Sequence, residues 1–281
     1  MKDHTTLGPG PLSSATLYIL LGIGSVLMLL PFAWMLISSL MTNHELLSVS
    51  PRVFWPSTFM WSNYTEALAV APFGRYFFNS FVVVILGTIG ELITTILAAY
   101  AFARMQFWGR DILFAVLLAT MMVPSEVLLI PNFITIANLG WIDTYQALIV
   151  PWLASVFSIF LLRQFFLGIP MQLSYAAKVD GCGDFRFLWY VMIPLAKPAL
   201  ITITLLTTIS SWNAFLWPLV VTNVSDMRTV PVGLAMFRGE AGSQYDLLMA
   251  ATVMAVAPVF LLYVIMQKHI VAAASRSGLK G

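Results

Sequence analysis

Long apolar runs alternate with short polar breaks along this chain. The runs cover about 15–40, 75–103, 111–138, 144–167, 199–221 and 245–267. Crossing ~30 Å of hydrocarbon takes about 20 residues in a helix, so each run is long enough to span a bilayer. The pattern therefore predicts an all-α polytopic membrane protein with six transmembrane helices. Pro124 and Pro131 interrupt the third run, and proline removes a backbone donor and crowds the preceding turn, so a bend or break is expected there. Pro151 lies near the start of the fourth. The first run is too long for a signal peptide and no small-residue cleavage site closes it, so it reads as a retained helix.

The polar breaks divide the rest. Residues 1–14 read as a tail, and 41–74, with Pro51, Pro56, Pro72 and several aromatics, as a folded loop carrying short helices. A basic turn covers 104–110, and Gly140-Trp141-Ile142-Asp143 makes a tight turn. Residues 223–244 form a second long loop, and 268–281 a basic tail.

The longest polar interruption on its side of the membrane is 168–198. Leu173 to Val179 predicts a short helix, and Gly181 ends it, since glycine takes the left-handed cap conformation without steric cost. Asp184 is placed to cap a second helix, Phe185 to Met192, with Pro194 stopping it. Ala176 and Ala177 give the first helix a face of little bulk. Such an elbow has a shape that fits a groove on another protein; on local pattern alone it also reads as an ordinary loop between spans.

Composition agrees with membrane embedding. Of 281 residues, 60% are hydrophobic and 9% charged, with a mean hydropathy of +0.90, against roughly a quarter charged in soluble domains. The lone Cys182 excludes an internal disulfide framework and a cysteine metal site. A net charge of +2 gives no reason to expect nucleic acid. No G-x-x-x-x-G-K-[ST] loop occurs, so the chain lacks that means of hydrolysing ATP. Positive charge orients the spans. Lys2, Arg104, Arg110, Arg163, Lys178, Arg186, Lys197, Lys268, Arg276 and Lys280 lie on one side or its borders, and only Arg52, Arg75, Arg228 and Arg238 on the other. Ten against four places both termini and the 168–198 loop in the cytoplasm.

The spacing of Ala176-Ala177, Gly181, Val191 and Ile193-Pro194 resembles the "EAA" signature of membrane subunits of bacterial ABC importers. The resemblance extends over nearly all the chain. It includes Ala98-Ala99-Tyr100-Ala101-Phe102-Ala103-Arg104 with Phe107 and Gly109-Arg110, Met122-Val123-Pro124 with Ile130-Pro131, and Leu139-Gly140 with Asp143-Thr144. It continues through Phe160-Leu161-Leu162-Arg163-Gln164-Phe165-Phe166 and Trp212-Asn213-Ala214-Phe215-Leu216-Trp217-Pro218-Leu219. The chain is most similar to the six-span subunit of the maltose importer type. It departs at Tyr175, where the family usually has glutamate, and at Cys182, where it usually has alanine.

The resemblance implies a bacterial inner-membrane permease working with a second homologous permease subunit, two ABC ATPases and an extracytoplasmic solute-binding protein. ATP and Mg would then belong to the ATPases, with no cofactor on this chain. Tyr175, Ala176, Ala177, Asp180 and Gly181 become the ATPase-coupling residues, and Gly239, Glu240, Gly242 and Gln244 a loop reaching the binding protein.

Substrate-pathway candidates come from polar residues within the spans. Ser210, Asn213 and Trp217 fall at i, i+3 and i+7, one face of a continuous helix, where hydroxyl-bonding groups and a ring would suit a sugar; a helix–helix contact is the competing reading. Glu91 and Glu126 are carboxylates inside spans, costly in lipid and expected to find polar partners or line a cavity. Glu91 is expected to cluster with Thr94 and Thr95, and Glu126 to bond a backbone amide freed near Pro124. His4, His44 and His269 share no metal-ligand spacing. The reading is an ATP-driven sugar importer subunit; a glycerol-phosphate importer of the same family, a stand-alone secondary transporter and a membrane-embedded hydrolase are its rivals. The absence of a deep Arg or Lys in the spans favours a neutral sugar.

Overall fold

A computed structural model describes residues 11–49, 53–240 and 244–277, and no strand occurs among them. In chain order the helices are α1 (Pro11–Ser38), α2 (Asn43–Leu47), α3 (Ser62–Val70), α4 (Phe73–Arg104), α5 (Arg110–Thr120), α6 (Leu129–Asn138), α7 (Tyr145–Ile149) and α8 (Val156–Leu167). They continue as α9 (Met171–Val179), α10 (Asp184–Phe187), α11 (Ile193–Leu195), α12 (Lys197–Trp212), α13 (Leu216–Val221), α14 (Val230–Glu240) and α15 (Tyr245–Ser277). Ala15–Ser38, Phe73–Arg104 and Tyr245–Ile265 are single helices long and apolar enough to cross a membrane. Three bent pairs, Arg110–Thr120 with Ser125–Asn138, Tyr145–Trp152 with Val156–Leu167, and Asp184–Leu195 with Lys197–Trp212, bring the total to six if each is one span. The α15 backbone continues to Ser277, past the expected end at 267.

The chain divides into two compact units. One comprises Met1–Ala71 and Phe237–Val256. Within it, α1 exposes most of its large apolar side chains from Leu17 to Leu36. Asn63 pins α3 to the chain leaving α1, its amide donating to the carbonyls of Ser39 (3.0 Å) and Met41 (2.8 Å). Thr42 and Glu45 form a reciprocal capping box that starts α2. The Glu45 carboxylate also accepts from the hydroxyl and amide of Ser57, and these bonds, the Ser57 hydroxyl first, lower its pKa from 4.5 to about 2. The expected short helices of the 41–74 loop are thus α2 and α3.

The second unit comprises Pro72–Met236 and Ala257–Gly281. Its axis is α4, against which α8 and α12 pack. Small and aromatic residues of α4 (Ala99, Tyr100, Ala103) meet Leu162 and Phe166 of α8, Ile203 of α12, and Phe187, Leu188 and Met192 in one buried cluster. A second cluster around Val83, Ile136, Leu148 and Trp217 lies toward the other end of α4. All three bent spans belong to this unit, whereas α4 runs unbroken.

Each bend has a local cause. Pro124 precedes the 3₁₀ turn Ser125–Leu128, and α5 and the segment beyond it diverge by 90°. Pro131 does not break the span as expected. It is the third residue of α6, in the first turn, where its missing amide has no intrahelical partner to lose. The fourth span bends by 41° at Leu153–Ser155, after Pro151, and Ser155 recaps α8 by accepting from the Ser158 amide at 3.2 Å. Asp143 takes a positive φ of 60° in the turn before α7 and accepts the amides of Asn223 (2.6 Å) and Val224 (3.0 Å).

Candidate functional site

The 168–198 segment folds into the expected elbow. Its first arm is α9, closed by Asp180 and then by Gly181 at φ +73°. The Cys182 amide reaches back to the Ala177 carbonyl (2.8 Å) and the Gly181 amide to that of Lys178 (3.1 Å). Those two bonds are a Schellman motif, which satisfies the orphan carbonyls of a helix end and needs a left-handed residue at the glycine position. A Cβ built on Gly181 would meet nothing within 4 Å, so the backbone conformation, not space within the chain, asks for glycine.

The second arm departs from expectation in three ways. Gly183, not Asp184, is the N-cap, and Asp184 is the first helical residue, its carboxylate accepting from the Tyr100 hydroxyl at 3.3 Å. After α10 the chain widens into a π-turn, Leu188–Met192, in which the Ile193 amide reaches the Leu188 carbonyl. Pro194 is not the stop: it lies within α11 and supplies no amide for the Tyr190 carbonyl, consistent with the altered bonding register ahead of it. The direction changes only at the buried Ala196, where the arm turns 80° into α12.

The two alanines also do different jobs. Ala176 is exposed, while Ala177 is partly buried and packs on the cluster containing Tyr100 and Phe187. The outer surface of the elbow carries Tyr175, Val179, Phe185, Trp189 and Tyr190, all exposed, along with Asp180 and Gly181. Phe185 and Trp189 meet edge to face with centroids 6.1 Å apart.

The elbow is fastened to the end of α4. Besides Tyr100, the Arg104 guanidinium donates to the carbonyls of Phe166 (2.6 Å) and Ile169 (2.5 Å) and contacts the Met171 sulfur. Tyr100 and Arg104 stand in the Ala98–Arg104 run, but nothing in the sequence connects that run to residues 166–184. These contacts join residues 62 to 84 positions apart, and only the fold reveals them.

The pathway candidates separate. Ser210 is near the end of α12 and Asn213 is its C-cap; both are exposed. Trp217 belongs to α13, beyond a break at 213–215, so the three do not share one helical face. The cause is Pro218, whose ring would clash with the Ala214 carbonyl and which has no amide to offer it. Trp217 is buried, donates through Nε1 to the Ala147 carbonyl (2.9 Å) and meets Trp152 edge to face at 5.9 Å.

Glu91 is buried, and its Oε1 accepts from Ser158 of α8 (2.7 Å) and Thr207 of α12 (3.0 Å). It thereby joins three helices. The expected cluster with Thr94 and Thr95 does not form around the carboxylate: Thr94 donates to the Glu91 and Leu153 carbonyls, and Thr95 has no hydrogen-bond partner among the described residues. Removing the carboxylate in Glu91→Ala is expected to destabilise the three-helix junction by about 1–2 kcal/mol. Glu91→Gln keeps the acceptor and should retain most of the stability; thermal unfolding in detergent measures both. Glu126 is exposed and accepts from the Ser125 hydroxyl at 3.3 Å, so the expected bond to a freed amide is not made. Of the loop at 239–244, Gly239 and Glu240 are the last residues of α14 rather than a turn, Gly242 lies outside the described residues, and Gln244 is exposed immediately before α15.

With this geometry in view, comparisons with known proteins define the class. Residues 91–276 match the family described as binding-protein-dependent transport system inner membrane component. The arabinooligosaccharides transport system permease protein AraQ of Bacillus subtilis (strain 168) is 35% identical over 259 residues, 92% of each chain. The sn-glycerol-3-phosphate transport system permease protein UgpE of Rhizobium meliloti (strain 1021) is 33% identical over 270 residues, covering 93% of this chain and 95% of its own. A crystal structure of a bacterial ABC transporter involved in the import of the acidic polysaccharide alginate aligns with a TM-score of 0.81 at 28% identity, over 91% of this chain and 95% of its own. The chain belongs to the binding-protein-dependent transport system inner membrane component family. It is a multi-pass inner-membrane permease subunit of an ABC importer, which sets aside the stand-alone secondary transporter and the hydrolase.

Proposed function

We propose that this subunit forms half of the translocation path of an ATP-driven importer for a neutral sugar or oligosaccharide. The exposed elbow is the observation that carries the mechanism. A glycine-capped helix and a second arm, held as a unit on the end of the longest helix of their unit, present a rigid surface to a groove on an ABC ATPase. Closure of two ATPases, which hold ATP and Mg, pushes the elbow and swings the spans between inward- and outward-open states. Tyr175, exposed where the wider family usually has glutamate, contributes aromatic packing in place of an acidic contact.

The Gly181 end is assigned to the cytoplasm on the ten-to-four distribution of Lys and Arg. Gly239, Glu240 and Gln244 are then assigned to the extracytoplasmic side, toward the binding protein. Ser210, Asn213 and Glu126, exposed on this single chain, are assigned to a path completed by a homologous second permease subunit. Among the described residues the basic side chains of the spans stand close to helix ends, as those of Arg75, Arg104, Arg110 and Arg163 do, with none at mid-span to hold a phosphate. That supports an uncharged substrate of the kind named for AraQ over the phosphate ester named for UgpE.

Pull-down of the tagged chain in mild detergent tests the assembly, with a second permease subunit and an ATPase expected to come with it. Uptake of labelled arabino-oligosaccharide and of glycerol-3-phosphate by cells with and without the chain tests the substrate class. Uptake of only the phosphate ester would overturn the neutral-sugar assignment. Solute accumulation by the purified chain alone in liposomes, driven by an ion gradient, would overturn the mechanism.

A further inference from the structure

Resting on that reading of the elbow, we propose that α4 is the strut that carries its movement to the loop at 223–230, and that Tyr100 and Arg104 are the positioning residues that fasten it. Three observations converge. At one end, α4 holds both arms of the elbow through side chains: Arg104 takes the carbonyls of Phe166 and Ile169 at the entry, and Tyr100 takes the Asp184 carboxylate on the return. At the other end, the same helix holds the 223–230 loop by a second set of bonds. Asn79 donates to the carbonyls of Asp226 (2.7 Å) and Arg228 (2.9 Å), Arg75 to that of Asp226 (3.1 Å), and the Ser80 hydroxyl accepts the Val230 amide (2.9 Å). Tyr145 in turn donates to the Asn79 oxygen at 2.7 Å, leaving both ends of that amide engaged.

Between the grips α4 has no break. From Asn79 to Tyr100 the helix is continuous, a rise of about 32 Å at 1.5 Å per residue. The neighbouring spans bend by 41°, 80° and 90°, so a displacement applied to the elbow is absorbed at their breaks and passed on along α4. The loop so held leads directly into α14, whose last residues, Gly239 and Glu240, are among those assigned to the binding protein.

Hydrogen–deuterium exchange on the copurified assembly in nanodiscs tests this, with and without ATP plus vanadate. In the wild type, nucleotide should change protection both at 171–187 and at 223–230. Tyr100→Phe keeps the buried ring and removes only the hydroxyl. Elbow amides should then exchange about fivefold faster, the worth of one hydrogen bond of about 1 kcal/mol, and the nucleotide response at 223–230 should shrink by a similar factor. Asp184→Ala, at an exposed position, should reproduce this without touching the core, and Asp184→Asn, which keeps an acceptor oxygen, should restore the wild-type response. ATPase copurification should stay at wild-type values in all three, and the unfolding temperature should fall by no more than one hydrogen bond's worth in Tyr100→Phe and Asp184→Ala. No nucleotide response at 223–230 in the wild type, or an undiminished one in Tyr100→Phe and Asp184→Ala, overturns the strut. Failure of any ATPase to copurify overturns instead the reading on which it rests.

Discussion

Uptake by cells carrying Gly181→Trp or Gly181→Val is expected to be abolished, by Gly181→Ala to be strongly reduced, and by Gly181→Asn to stay near wild type. The order follows from backbone conformation. At φ +73° an L-residue with a Cβ costs roughly 1–2 kcal/mol, a β-branched one more, while asparagine visits this region with ease. A penalty of 1.4 kcal/mol is about a tenfold loss of the properly capped elbow. Because the built Cβ meets nothing within 4 Å, alanine reports conformational strain alone. Any further loss with tryptophan then measures bulk against the ATPase. Membrane insertion should be unaffected throughout, since Gly181 lies outside all three single-helix spans and all three bent pairs. Quantitative uptake alongside ATPase copurification checks the series. Equal transport by wild type and Gly181→Trp would remove the elbow from the mechanism.

Trp217→Ala is expected to destabilise the protein by about 3–5 kcal/mol, as for other large aromatics removed from a packed site. The side chain fills the space between Ala147 and Trp152, and its indole N–H satisfies the Ala147 carbonyl. Trp217→Phe separates the two contributions: it keeps a ring and leaves that carbonyl without its partner, at about 1–3 kcal/mol. Thermal unfolding in detergent should rank wild type above Trp217→Phe and Trp217→Ala lowest. A sugar contact at Trp217 would instead raise the KM for uptake with little change in unfolding temperature, and that result would return Trp217 to the pathway. Asn213 offers the contrast. It is exposed at the end of α12, and Asn213→Ala should alter uptake with little effect on stability.

Single residues decide where the helices depart from their hydrophobic pattern. The run Trp212–Leu219 has helical hydrophobicity from end to end, yet a single imino acid at 218 separates α12 from α13 and turns Ser210, Asn213 and Trp217 away from a common face. Pro131 acts in the opposite sense, because a proline in the first turn of a helix costs almost nothing. Asp184 has the side chain of a cap, but Tyr100 offers a hydroxyl from another helix and Gly183 already has the extended conformation a cap needs.

The sequence by itself determined the class of this protein. Apolar length marks the helices that can span a membrane, charge bias predicts their orientation, and a glycine flanked by small and polar residues marks the elbow, all of which depend on neighbours close along the chain. Only the tertiary structure decided which helices grip one another. Glu91 finds Ser158 and Thr207, Asn79 finds Asp226 and Arg228, and Arg104 finds Phe166, across 62 to 149 residues. In a chain where apolar surface meets apolar lipid on every side, hydrophobic pattern carries little information about partners. Polar groups such as Glu91, Asn79 and Arg104 supply it, because burying them demands partners, and those partners lie far along the chain.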